Sequence, residues 1–162
     1  MEEILPPITQ EGAGFEVARV RQYTVFLENR VGRLQTLVWE LEEAAGPIRA
    51  LSITDTADAA LVRLICADAE QARECLTAAG FSFSESDMIA VHLHRTNHAI
   101  SAVCSALLMA EINIHYAYSF LSAPHGPALA LYVDDPTLSA EILIKKGFRL
   151  LGQSDLAAEN NG

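Results

Sequence analysis

The sequence predicts an α+β fold in which one unit, strand–helix–strand–strand–helix–strand, is written twice. The first sign is a repeated helix stripe. Leu34, Leu37, Val38 and Leu41 stand at i, i+3, i+4 and i+7, and Ile100, Val103, Cys104 and Leu107 repeat the pattern 66 positions later. The second sign is that strand-like runs keep the same offset. QYTVFLE before the first helix answers to IAVHLH before the second, and IRALSI from Ile48 answers to IHYAYSF from Ile114. Further on the offset becomes 67, with Gly80-Phe81 matching Gly147-Phe148. The extra residue falls in the turn between TDTADAA and SAPHGPA, where an insertion costs little.

In order, the first unit places strands near 20–28, 48–54, 60–67 and 82–86, with helices near 33–45 and 69–79. The second places strands near 88–94, 113–121, 128–134 and 148–153, with helices near 99–110 and 136–146. Asp68 and Asp135 sit where the later helix of each unit begins, as N-caps. Gly80 and Gly147 close those helices where a left-handed residue is wanted. This order is the ferredoxin-like arrangement, a four-stranded antiparallel sheet with both helices on one face. The chain divides into an N-terminal extension (1–19), repeat one (20–87), repeat two (88–156) and a C-terminal tail (157–162).

A unit of this size buries little surface alone. The repeats are therefore expected to pair side by side into an eight-stranded antiparallel sheet with four helices on one face. Trp39 lies off its helix stripe, and its counterpart is Ser105. It either meets Ser105 across two neighbouring helices or flanks its own core. Phe26 and Tyr132 alternate with core residues and so point to the helix-free face. Aromatics there imply that the face is covered, which predicts a homodimer.

Of the 162 residues, half are hydrophobic and 20% charged, and the formal net charge is -10. Such a surface repels phosphate backbones and anionic membranes, which argues against nucleic-acid and membrane roles. The start, MEEILPPITQ, is acidic and broken by proline, unlike a signal peptide. Cys66, Cys75 and Cys104 are scattered without a CxxC, so they are expected to be apolar fillers in a reducing cytoplasm.

The corner Glu28-Asn29-Arg30-Val31-Gly32 joins the first strand to the first helix. A turn entering a helix presents unpaired N–H groups and the positive end of the helix dipole, which suit a carboxylate. Gly32 permits close approach, and Asn29 offers both a donor and an acceptor. Equally, the corner can be a bare turn in which Asn29 caps the helix.

FLENRVGRLQTLVWELEEAAGPIRALSI resembles the ACT domain, a small regulatory module of amino-acid metabolism. Its corner is similar to the ENRPG loop known from phosphoglycerate dehydrogenase, with Val31 in place of the proline. EINIHYAYSF and VDDPTLSAEILIKKGF carry the resemblance into repeat two, so that it covers about 20–155. The resemblance implies a non-catalytic protein that binds a free amino acid where two such domains meet. It implies a site of Leu27, Asn29, Arg30, Val31 and Gly32 from one repeat, with Asn113 and Ile114 from the other. Asn113 is also ordinary turn chemistry ahead of a strand. The opposite corner has Arg95 for Asn29, His98 for Gly32 and Pro47 for Asn113, so it is expected to be degraded. Leu27 stands where the dehydrogenase loop has a histidine that helps hold serine, so serine is not implied.

His92, His94 and His98 form an H-x-H-x3-H cluster, which is either a metal site or a polar strand end. No P-loop, GxGxxG or GxSxG is present, so neither catalysis nor a cofactor is expected. The alternative is the regulatory subunit of an amino-acid biosynthetic enzyme such as acetolactate synthase. That subunit opens with a similar LEN-x-x-G-x-L corner but carries a different second half.

Overall fold

A computed structural model describes residues 8–11, 14–28 and 30–157. Asn29 and the tail beyond Ala157 lie outside the described residues, as do residues 1–7 and 12–13 of the N-terminal extension. A small hairpin of β1 (Ile8–Glu11) and β2 (Gly14–Val17) comes first. Repeat one follows with β3 (Val20–Glu28), α1 (Arg33–Ala45), β4 (Ile48–Asp55), β5 (Ala59–Cys66) and α2 (Ala69–Ala78). A long strand, β6 (Ser82–His92), leads into α3 (Ala99–Leu108), β7 (Ile114–Ser119), β8 (Ala128–Val133) and α4 (Pro136–Lys145). The two-residue β9 (Leu150–Leu151) and the short α5 (Gln153–Ala157) end the described chain.

Both duplicated caps form as the sequence predicts. The Asp68 carboxylate accepts from the Gln71 N–H and that of Asp135 from the Leu138 N–H, each at 3.0 Å.

The sheet departs from the expected eight strands. It has seven, in the order β4-β5-β3-β6-β8-β7 with β9 beside β6. The cause is β6. The sequence predicts two strands near 82–86 and 88–94, but one continuous strand serves both repeats. Ser82–Met88 pair with β3, and Ile89–His92 pair with β8. Asp87, in the polar stretch that reads as a break, is held on the strand by ion pairs to Arg19 and Arg21.

The second departure is curvature. The sheet curls into a half-barrel, and its closing edges meet where Ala50 of β4 bridges Phe120 beyond β7. Helices pack outside, over two cores. Leu37, Leu41 and Leu76 anchor the first, and Val103, Leu107 and Leu143 the second. A third core lies between the helix-free faces, where Val20, Ala50, Met88, Ala90, Ala128, Ala130 and Leu151 meet. The alanines let the faces approach closely, and a flat sheet would leave this apolar surface bare. The chain therefore covers within itself much of the face that was expected to be covered by a dimer partner. Phe26 stays 46% exposed and Tyr132 36%. Trp39, at 64% exposure, is not buried against Ser105.

Two clasps hold the repeats together. Buried Arg49 donates from Nε to the Leu156 carbonyl (3.1 Å) and from Nη1 to Ser122 Oγ (2.8 Å). Gln153 donates to the Cys66 carbonyl and accepts from the Arg21 N–H, both at 3.0 Å. Cys66 is a buried filler whose thiol burial pushes up to about 12. Cys104 is exposed instead. Among the described residues, no helix is long and apolar enough to cross a membrane.

Candidate functional site

The first corner is built by the end of β3. Leu27 is buried in the first core, while Glu28 is exposed beside its register partner Ala59. The chain then turns, with the Arg30 N–H donating to the Glu28 carbonyl at 2.7 Å and an exposed Glu28–Arg30 ion pair at 3.6 Å. Val31 is fully exposed. Gly32 starts α1 at φ 87 and ψ -9, a left-handed conformation that glycine adopts without strain. Among the described residues, a Cβ built there meets nothing within 4 Å.

Gly32 at the N-cap has no side chain with which to cap α1, and the first turn of the helix holds no acidic residue. The positive end of the helix dipole thus faces the corner with no acidic residue in that turn to offset it.

Asn113 is exposed at the start of β7, and its backbone is fixed by Asp134. The Asn113 N–H donates to Asp134 Oδ2 (3.1 Å), and its carbonyl accepts from the Asp134 N–H (3.2 Å). Asp134 also pairs with His115. Ile114 is half-buried at the rim of the second core. Among the described residues, no hydrogen bond joins Asn113 to the first corner. Repeat two reaches β3 instead through Tyr116 and Tyr118, which bond the buried Gln22 side chain.

The second corner repeats the backbone pattern of the first at the same offset. The Thr96 N–H donates to the His94 carbonyl at 2.8 Å, matching Arg30 to Glu28. The Ala102 N–H donates to the His98 carbonyl at 2.9 Å, matching Thr36 to Gly32 at 3.0 Å. His98 starts α3 without a side-chain cap bond. A cavity of about 400 Å³ opens here, lined by Leu93–Ser101 and Pro127, with His94, Arg95 and His98 as its basic groups. Side-chain identity at Arg95 and His98 suggested a degraded site. The sequence signal for this cavity is the loop length, which is the same in both repeats.

Close by, His92 Nδ1 is buried without a hydrogen-bond partner. Burial pulls the His92 imidazole below its ordinary value, and His94, Arg149 and His125 add to this, against a backbone hydrogen bond at Pro127. The folded value lies below the unfolded one, so the unfolded chain binds the proton more readily. The contribution to stability is in place above about pH 6.5 and is lost as the pH falls through the lower folded value. His92→Gln is therefore expected to flatten the fall in melting temperature between about pH 7.5 and 5. Melts of both proteins across that range check it, and equal slopes would refute it. Among the described residues, no three His, Cys, Asp or Glu side chains are arranged to hold a metal ion.

A family model described as an ACT domain pair matches residues 18–159. No curated protein matches the chain. Among solved structures, protein BT0572 from Bacteroides thetaiotaomicron is similar at a TM-score of 0.77 and 26% identity, covering 88% of this chain and 99% of that one. The regulatory subunit of aspartate kinase from Thermus thermophilus is similar at 0.54 and 10% identity, covering 80% and 93%. That from Thermus flavus is similar at 0.52 and 14%, covering 80% and 90%. The two kinase subunits share the fold.

Proposed function

The chain belongs to the ACT domain family as an ACT domain pair, and from that premise we propose a non-catalytic regulatory protein that binds a free amino acid at the interface of its two repeats. The observation that carries this reading is the first corner. Gly32 holds a left-handed turn with nothing among the described residues within 4 Å of its Cβ position, and the first turn of α1 holds no acid. In the proposed site, beside Leu27, the ligand carboxylate takes N–H groups of the loop Asn29, Arg30, Val31 and Gly32 other than that of Arg30, which the Glu28 carbonyl holds. Asn113 and Ile114 supply the half from repeat two.

The cavity at Arg95 and His98 favours a second reading, in which repeat two holds the ligand instead. A thermal-shift screen of the twenty amino acids separates them. A ligand that binds only the folded state stabilises it by about 2.7 kcal/mol at a hundredfold excess over Kd. Asn29→Ala or Asn113→Ala is expected to abolish that shift and leave the unliganded melt unchanged, whereas Arg95→Ala preserves it. A shift lost with Arg95→Ala and kept with Asn29→Ala would move the site to the second corner. A screen in which no amino acid raises the melting temperature would overturn amino-acid binding itself.

Regulation requires a target. The aspartate kinase regulatory subunits offer a precedent in fold for pairing with a catalytic subunit, and we assign this chain a biosynthetic enzyme as partner in the cytoplasm. The match of an ACT pair through residue 159 favours a tandem protein over the acetolactate synthase type, whose second half differs. A homodimer belongs to the same proposal. Much of the helix-free face is covered within the chain, so its contact falls on exposed apolar residues of the helices such as Trp39, Leu108 and Met109.

A further inference from the structure

On the concave side of the half-barrel, one row of side chains crosses four strands. Ser52 of β4 registers with Arg63 of β5, Arg63 with Thr24 of β3, and Thr24 with Ser84 of β6. Tyr23 and Val25 lie in the first helix-side core, so this row points the other way, toward repeat two. The Arg63 guanidinium lies 4.1 Å from the ring centre of Tyr116, which stacks on Tyr132 at 5.0 Å. Gln22 closes the inner end by bonding Ser86, Tyr116 and Tyr118. At the outer end Phe26 and Tyr132 stay exposed.

The chemistry of this row is unbalanced. Arginine is a permanent cation with directional donors. Here Nε is buried without a hydrogen-bond partner, and among the described residues no carboxylate pairs with Arg63. The flanking rows, Gln22–Ser86 and Thr54–Leu61–Phe26–Ser82, contain no acid either. The chain carries a net charge of -10, yet this row sets Arg63 among hydroxyls, and beyond it Asp134 pairs with His115 beside Tyr132.

We propose that the concave face binds a small organic carboxylate bearing an apolar or aromatic group. Arg63 takes the carboxylate with the hydroxyls of Thr24, Ser52 and Ser84, while Phe26 and Tyr132 flank the apolar part. The face is separate from both corners and does not depend on either being a ligand site. A symmetric contact between two copies through this face would set Arg63 against Arg63, which disfavours a second copy as occupant.

The test is an amide and arginine-side-chain NMR titration of the whole chain with benzoate and 3-phenylpropionate, with acetate alongside. Saturable shifts are expected at Thr24, Phe26, Ser84 and the Arg63 side chain, with acetate much weaker. Arg63→Gln should weaken binding by about tenfold or more, as loss of a charge-assisted hydrogen bond does. Phe26→Ala, on the exposed lip, should weaken the aromatic probes and leave acetate unchanged, and it serves if the Arg63 variant fails to fold. Shifts confined to the corners, affinity untouched by Arg63→Gln, or acetate binding as tightly as benzoate would each overturn the proposal.

Discussion

Met88→Ala is expected to lower the unfolding free energy by about 2–5 kcal/mol and to leave one cooperative transition. Met88 is 0% exposed, lies on the strand shared by the repeats and packs in the core between their helix-free faces. A cavity there weakens the contact that joins the halves, so neither half keeps its stability alone. Trp39, the single tryptophan, reports on repeat one by fluorescence, and far-ultraviolet circular dichroism reports on both repeats. Coincident urea curves are predicted for the wild type and for the variant. A first transition seen by Trp39 alone would mean that the repeats are independent units.

Gln22→Leu is expected to cost about 2–4 kcal/mol, although leucine suits a buried position. The Gln22 amide donates to Tyr116 Oη at 2.8 Å and to Ser86 Oγ at 3.0 Å, and Oε1 accepts from the Tyr118 hydroxyl at 2.6 Å. Leucine leaves these groups without their partner between the sheets. The penalty comes from the stranded groups and not from lost volume, so Tyr118→Phe in the Gln22→Leu background should recover part of it. Burial raises the Tyr118 hydroxyl pKa well above the ordinary tyrosine value, so the phenol stays a donor at neutral pH. Additive losses in the double variant, measured by urea unfolding, would show that this network does not act as a unit.

The duplication was legible because helices and strands imprint periods on local sequence. The helices α1 and α3 and the caps at Asp68 and Asp135 are all local and lie where the pattern puts them, although Leu34, Ile100 and Cys104 of the two stripes stay exposed. What stayed hidden depends on partners distant in sequence. Ser86-Asp87 reads as a break because it is polar, yet Asp87 is paired by Arg19 just ahead of β3 and Arg21 on it, and β6 runs through it. The curl follows from Ala50, Ala90, Ala128 and Ala130 meeting across the half-barrel, and no window of sequence shows that meeting. At the site, the glycine corner was readable and the left-handed Gly32 bears out the turn. The second corner shares the backbone hydrogen bonds of the first because these follow loop length and not residue identity, which Arg95 and His98 do not reveal.

Ligand stoichiometry tests the proposed corner site most directly. Isothermal titration calorimetry of the wild-type chain, with the amino acid identified by the thermal-shift screen, measures it. One ligand per chain is predicted, with the heat lost in the Asn29→Ala, Asn113→Ala double variant. Two equivalent ligands per chain, or full binding by that variant, would contradict the placement of the site at the first corner.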